Sequence, residues 1–188
     1  MPEKSTDRRA LKTRKALTNA LAELLTEKQL HKITVQEICD KAELNRGTLY
    51  RHYLDVYDLY DKIENETIVA FALLLLDVQD QSTDEFFRKI IDYISHNRSI
   101  FKMVFSPNTT GQLRIKLCSI IKGVFQQKQI EKEGAQRLDE TELELMCSYR
   151  AQGCAAIISD WVTGDFKEPE DVIVKIISKL DSNTEKLF

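Results

Sequence analysis

The sequence predicts an all-α fold of about nine helices, and three observations carry that prediction. Only 6 of 188 residues are glycine and 3 are proline. Long stretches consist of good helix formers, and no strand pattern, internal repeat or glycine-rich phosphate loop interrupts them. A chain of this length can build one substantial core, or two small domains that share a helix.

The first helix is expected to start near Asp7 and to turn a stripe of Leu17, Leu21, Leu24 and Leu25 inward. Its leading arm, expected to be loose, is basic: Lys4, Arg8, Arg9, Lys12, Arg14 and Lys15 fall within the first 15 residues. Arg8, Arg9 and Lys12 are candidates for phosphate contact, each neutralised phosphate adding about 0.9 to the slope of log affinity against log salt.

Residues 32–54, KITVQEICDKAELNRGTLYRHYL, are the most informative segment. Thr34 and Glu37 frame T-V-Q-E, a capping box in which each residue satisfies the other's backbone N–H. The helix it opens buries Val35, Ile38 and Ala42 and breaks near Glu43 and Leu44. Asn45 is placed to cap a second helix from Arg46 to about Tyr53, so the segment reads as helix, turn, helix.

Within that second helix Leu49 and Tyr53 face inward, which leaves Arg46, Gly47, Thr48, Tyr50, Arg51 and His52 outside. Such side chains suit DNA: arginine can bond a guanine edge through two nitrogens, and hydroxyls hold phosphates. Gly47 costs a helix roughly 1 kcal/mol against alanine; its bare backbone could approach a groove closely. The same spacing also describes a surface helix whose Tyr and Arg merely cover an all-helical protein.

A long helix follows, capped by Asp55 with Asp58 in its first turn and running to about Asp77; Leu59 and Ile63 pack on the preceding helices. Its apolar run at 68–76 is too short to span a bilayer. Thr83 is expected to cap a helix to about Asn97. A short helix runs through 100–105 and stops at Ser106 and Pro107, and another spans about 110–132. Asp139 or Thr141 opens a helix to Thr163 with Gly164 as its stop, and Pro169 sits in the first turn of a last helix ending near Leu180.

Residues 14–59, and most specifically ITVQEICDKAELNRGTLYRHY, resemble the amino-terminal domain of the tetracycline-repressor (TetR/AcrR) family of bacterial transcription regulators. The likeness covers roughly the first third of the chain. It implies a helix-turn-helix domain at 1–54 and a larger helical domain at 55–188 that binds ligand and dimerises. It also implies that Thr34, Gln36, Arg46, Gly47, Thr48, Tyr50 and His52 fall where the family commonly touches DNA, and Leu49 and Tyr53 where it builds core. Two departures stand out. The family often has a phosphate-holding lysine near the start of the fourth helix, where this chain has Val56, with Tyr57 beside it as a substitute. It often has a glycine after the first helix, where this chain reads Lys28, Gln29, Leu30. By the same likeness, the long fourth helix would carry a shift in the larger domain to the recognition helix as a rigid tilt.

Charge is sorted along the chain. Residues 1–53 hold 11 Lys and Arg against 7 Asp and Glu, and the remainder reverses the balance to reach the net −3. The acidic total therefore does not exclude a DNA-facing amino-terminal part, although so modest an asymmetry is also an ordinary solvated surface. Cys39, Cys118, Cys147 and Cys154 form no paired motif and are expected to be free and buried, as in the cytosol. His31, His52 and His96 lack metal-ligand spacing, so no metal or cofactor is expected. No leading signal peptide is read, and the expected location is cytoplasmic.

Two further surfaces are anticipated. Ala151, Cys154, Ala155, Ile158 and Trp161 on one helix, with Ile173, Ile176, Ile177 and Leu180 on the next, form apolar stripes that suit either core or a homodimer interface of four helices. Phe86, Tyr93, Phe101, Phe105, Phe125 and Tyr149 could line an apolar effector pocket, though aromatic residues at helical spacing more often make core. Arg114, Arg150 and Gln152 lie in apolar neighbourhoods and could orient a ligand.

Three function classes follow. The first is a dimeric DNA-binding transcription regulator, a repressor by the family's usual mode, that binds a near-palindromic operator and is modulated by a small ligand. The second is a ligand-independent regulator or activator whose carboxy-terminal domain binds a protein. The third is a helical enzyme or structural bundle, against which stand the lack of Ser-His-Asp order, paired catalytic carboxylates or a cofactor fingerprint. No membrane partner is expected.

Overall fold

The computed structural model describes residues 3–78, 80–131 and 138–186, with side chains from residue 8 onward. Among the described residues the chain forms nine α-helices, one 3-10 turn and no strand. The helices are α1 (Glu3–Glu27), α2 (Val35–Lys41), α3 (Arg46–Tyr50), α4 (Val56–Val78), α5 (Thr83–His96), α6 (Arg98–Val104), α7 (Gln112–Glu131), α8 (Glu140–Thr163) and α9 (Glu170–Glu185); the 3-10 turn is Leu30–Lys32.

Several boundaries correct the sequence reading. The basic arm is helical, because α1 starts at Glu3 rather than near Asp7. α3 stops at Tyr50 instead of Tyr53, and Asn45 makes no side-chain cap; its carbonyl alone accepts from Thr48 N at 2.8 Å. Ser82, not Thr83, caps α5 by accepting from Glu85 N. Pro169 precedes α9 as its N-cap, and α9 continues past Leu180 to Glu185. The end of α7 expected at Lys132 lies outside the described residues.

The chain divides into two compact units. One comprises Met1–Thr67 with Ser99–Gly111, and the other Ile68–Arg98 with Gln112–Phe188, so α4 contributes to both.

In the first unit Leu17, Leu21 and Leu25 of α1 meet a core completed by Ile38, Leu49 and Leu59, all fully buried. α6 and its following loop belong here. Ser106 Oγ and Asn108 Nδ2 both donate to the Leu25 carbonyl, at 2.6 and 2.8 Å, so side chains occupy one of the last-turn carbonyls that a helix leaves open. The chain thus closes α1 without the left-handed glycine the family often has there.

In the second unit α5 packs on α9, α7 on α8 and α8 on α9. Phe86, Phe87 and Phe125 form an aromatic nucleus with centroids 5.2 to 6.5 Å apart. α8 ends in a Schellman motif: Phe166 N donates to Trp161 O at 2.9 Å and Asp165 N to Val162 O at 3.1 Å. The Trp161 and Phe166 rings that flank it stack edge-on at 4.8 Å. Gly164 is the stop expected from the sequence, but the left-handed residues are Asp165 and Phe166. Glycine is needed for room, since a Cβ there would lie 2.9 Å from the Asp160 carbonyl oxygen.

Candidate nucleic-acid interface

The interface is built from α2 and α3. Thr34 Oγ1 accepts from Glu37 N at 3.3 Å, and Glu37 Oε2 accepts from Thr34 N at 2.9 Å, which realises the capping box. Lys28 bonds the other Glu37 oxygen. That lysine, together with the two Thr34 donors, holds the Glu37 carboxyl down from its ordinary 4.5 to about 2.

The turn after α2 is a second Schellman motif. Leu44 N donates to Cys39 O at 2.9 Å, Glu43 N to Asp40 O at 3.2 Å, and Glu43 takes the left-handed conformation with φ of 53°. The sequence located this break; it gave no sign that a glutamate would occupy a position suited to glycine.

α3 then presents its polar side chains. Arg46, Gly47, Tyr50, Arg51 and His52 are exposed and Thr48 is half-buried, while Leu49 and Tyr53 are buried as expected. Around Gly47 a Cβ would meet nothing within 4 Å, so open space surrounds the backbone. Arg51 donates to Gly47 O at 3.2 Å and to Thr48 Oγ1 at 3.1 Å, which draws three of the anticipated contacts together. Arg46 Nε bonds Gln36 Oε1, and Gln36 Nε2 bonds Asp40 Oδ1, linking α3 to α2.

Around this centre Thr34 is exposed and Gln36 half-buried; Arg8, Arg9 and Lys12 are exposed on α1. Val56 is 6% exposed and serves the core, whereas neighbouring Tyr57 is 51% exposed. Lys62 is a cation the sequence reading overlooked. Its ammonium donates to the His52 carbonyl at 3.1 Å and to Asp58 Oδ2 at 3.0 Å, and lies 5.1 Å from the centroid of the Tyr53 ring. Only the Asp58/Lys62 spacing of four hinted at half of this.

The anticipated effector residues divide between the two units. Phe86 and Phe125 are buried in the aromatic nucleus of the second unit, and Tyr93 is half-buried with its ring 6.1 Å from Phe71. Phe101 and Phe105 belong to the first unit, and Tyr149 is 69% exposed. Arg150 is not free to orient a ligand: it is buried and held by Asp181 through Nε and Nη2 at 2.8 and 2.9 Å.

The dimer stripes are likewise redistributed. Ala151, Cys154, Ala155, Ile158, Trp161, Ile173 and Ile177 are buried within the second unit itself, so they add no surface to a partner; Ile176 and Leu180 are exposed. The exposed apolar neighbours are Leu145 and Tyr149 on α8 and Val172 on α9. A groove of about 180 Å³ lies along this face, with Tyr149, Gly153, Ile157 and Leu180 among its walls.

All four cysteines are free and buried, and burial raises each thiol above its ordinary range. Among the described residues no cluster of three metal-ligating side chains occurs, and no helix is long and apolar enough to cross a membrane.

Comparison with known proteins accords with this geometry. A family model described as "Bacterial regulatory proteins, tetR family" matches residues 17–61, and a TetR carboxy-terminal model described as "Transcriptional regulator C-terminal region" matches 81–182. The HTH-type transcriptional regulator YxbF of Bacillus subtilis is 25% identical over 165 residues, which cover 84% of this chain but 42% of YxbF. Among solved structures, the fatty acid degradation regulator FadR of Bacillus halodurans superposes with a TM-score of 0.68 at 17% identity, over 89% of this chain and 93% of that one. The dihydroxyacetone kinase operon activator DhaS gives 0.63 at 18%, over 94% and 97%. At such identities the likeness to both structures establishes the fold. The family models match the helix-turn-helix and more than half of the chain besides, and the chain belongs to the tetR family of DNA-binding transcription regulators.

Proposed function

We propose that the chain acts as a homodimeric repressor in the cytoplasm. Its α3 helices enter successive major grooves of a near-palindromic operator, with the amino-terminal residues 1–54 reading DNA and residues 55–188 joining the dimer and receiving a signal. The observation that carries this reading is the exposed polar face of α3 and the turn after it, where Arg46, Gly47, Tyr50, Arg51 and His52 surround a buried Leu49. A two-fold protein then implies half-sites about 34–36 Å apart, or a multiple of that. Arg46 reads a base; Thr34, Thr48, Tyr50, His52, Tyr57 and the α1 cations Arg8, Arg9 and Lys12 hold the backbone.

The test is selection of binding sites from randomised duplexes, followed by affinities on cognate and random DNA. Arg46→Ala is expected to lose about 1–3 kcal/mol of discrimination at one base pair per half-site. Lys12→Ala is expected to weaken all sequences alike and to lower the salt slope by about 0.9. Equal losses on cognate and random DNA for Arg46→Ala would remove it as a base reader.

The signal is proposed to be a small apolar effector held by the carboxy-terminal unit. A second reading, a ligand-independent regulator or activator whose carboxy-terminal unit binds protein, is favoured by the close packing of Phe86, Phe87 and Phe125 where a pocket was anticipated. That DhaS is an operon activator lends it further support. Long-chain fatty acids, prompted by the FadR likeness, are the first probes: a raised melting temperature with weakened operator binding supports the effector reading, and no change in either supports the second.

A further inference from the structure

We propose that Asp40 is a positioning residue for base reading, acting through Gln36 to fix the guanidinium of Arg46. The inference rests on the reading of α3 as the recognition helix. Three observations lead to it. Gln36 and Asp40 are four apart on α2 and therefore share a face, with Gln36 Nε2 donating to Asp40 Oδ1. The same amide accepts from Arg46 Nε through Oε1. Among the described residues neither terminal nitrogen of Arg46 is engaged by the protein.

The chemistry leaves one arrangement. A carboxylate only accepts and a guanidinium only donates, so an amide between them must turn its NH₂ to Asp40 and its oxygen to Arg46. Both polar ends of Gln36 are then occupied along this edge. Gln36 is therefore assigned a bracing role in place of the direct DNA contact that the family resemblance implies for it. Arg46, held at Nε, offers its two terminal nitrogens as a fork, the geometry that matches the O6 and N7 acceptors of guanine. Pinning a long side chain before DNA arrives also removes ordering that binding would otherwise have to impose.

Asp40 has a counter-effect that makes the proposal testable. An exposed carboxylate beside the DNA-reading face repels phosphate, so its removal should raise affinity for every sequence. Discrimination should move separately. Asparagine at this position keeps an oxygen that can accept from Gln36; alanine keeps none.

The experiment measures full-length protein on its selected operator and on single-base replacements at every half-site position. Arg46→Ala should lower the preference for guanine at one position by about 5- to 150-fold. Asp40→Ala and Gln36→Ala should lower it at that same position by about 2- to 10-fold, and Asp40→Asn should retain it. Both Asp40 variants should gain affinity for random DNA. A wild-type base profile in Asp40→Ala, alongside a lost preference in Arg46→Ala, would overturn the brace and leave α3 as the reader. So would equal losses in Asp40→Asn and Asp40→Ala. An unchanged profile in Arg46→Ala would overturn the reading of α3 itself, and the brace with it.

Discussion

Three residues of the helix-turn-helix show how local chemistry sets stability apart from DNA binding. Glu43 sits at φ 53°, where a side chain costs about 1–2 kcal/mol and glycine costs less. Glu43→Gly should therefore raise the unfolding free energy by about 0.5–1 kcal/mol after the added freedom of the unfolded chain, read as a higher urea midpoint at constant slope; a fall in the midpoint would show that the glutamate side chain compensates for its backbone. Gly47 is the inverse case. With nothing within 4 Å of its missing Cβ, Gly47→Ala should leave stability unchanged or raise it by up to about 1 kcal/mol, while weakening DNA binding if the backbone must approach the groove. Undiminished affinity would remove that role from Gly47. Glu37 supplies the pH dependence. Its carboxyl falls from 4.5 to about 2 on folding, so the stability it lends is complete above pH 4.5 and disappears as pH drops toward 2. Glu37→Gln should flatten this part of a melting-temperature profile. The capping box was legible because its partners lie three residues apart. The left-handed glutamate was not, because the turn that α3's packing demands, and not the residue's own preference, sets its sign of φ.

At the scale of elements, α8 and α9 are joined by the Arg150–Asp181 pair, whose side chains are 4% and 2% exposed. Glu185 stands 3.7 Å from the same guanidinium, which also lies 4.3 Å from the centroid of the Phe125 ring. Removing one partner strands a charge in the core. Arg150→Met should cost about 3–5 kcal/mol, whereas Arg150→Met combined with Asp181→Leu should recover most of that loss. Equal destabilisation in the single and double variants, by chemical denaturation, would mean that packing rather than charge pairing holds the two helices. The sequence displayed Arg150 as a cation among apolar residues, but its partner is 31 residues away and no local period connects them. Helix existence was legible throughout, since the 3.6-residue period, the Asp139 capping box and Gly164 are local signals. Which stripe each helix buries was legible only in part. Ala151, Cys154 and Ile158 form one apolar face, as their spacing predicts, yet periodicity alone does not say whether that face meets a neighbour in the same chain or in another.

For the whole molecule, the proposed dimer must use what α8 and α9 leave exposed. Leu145, Tyr149, Val172, Ile176 and Leu180 are each between 42% and 69% exposed, an apolar concentration that monomers tend to hide. On α9 the three residues recur every four positions, so Val172, Ile176 and Leu180 fall on one side of that helix. A charge on each helix of this face tests the arrangement with little cost to the core, because Tyr149 and Ile176 are exposed whereas Ile158 and Ile177 are buried in the unit. Tyr149→Glu with Ile176→Glu is expected to halve the mass by light scattering at micromolar concentration, with the circular dichroism spectrum preserved. Operator affinity should then fall by about 10²- to 10⁴-fold, since two half-sites no longer engage as a linked pair. Binding of the double variant to an isolated half-site should equal that of the native chain, because α3 and its Arg46 are untouched. A dimeric mass in the double variant would move the interface elsewhere, to the exposed Val69, Leu73 and Leu76 of α4 or to Ile115 and Ile130 of α7. A monomeric mass for the native chain would instead remove the two-fold operator from the proposal altogether, since nothing would then fix two recognition helices at one spacing.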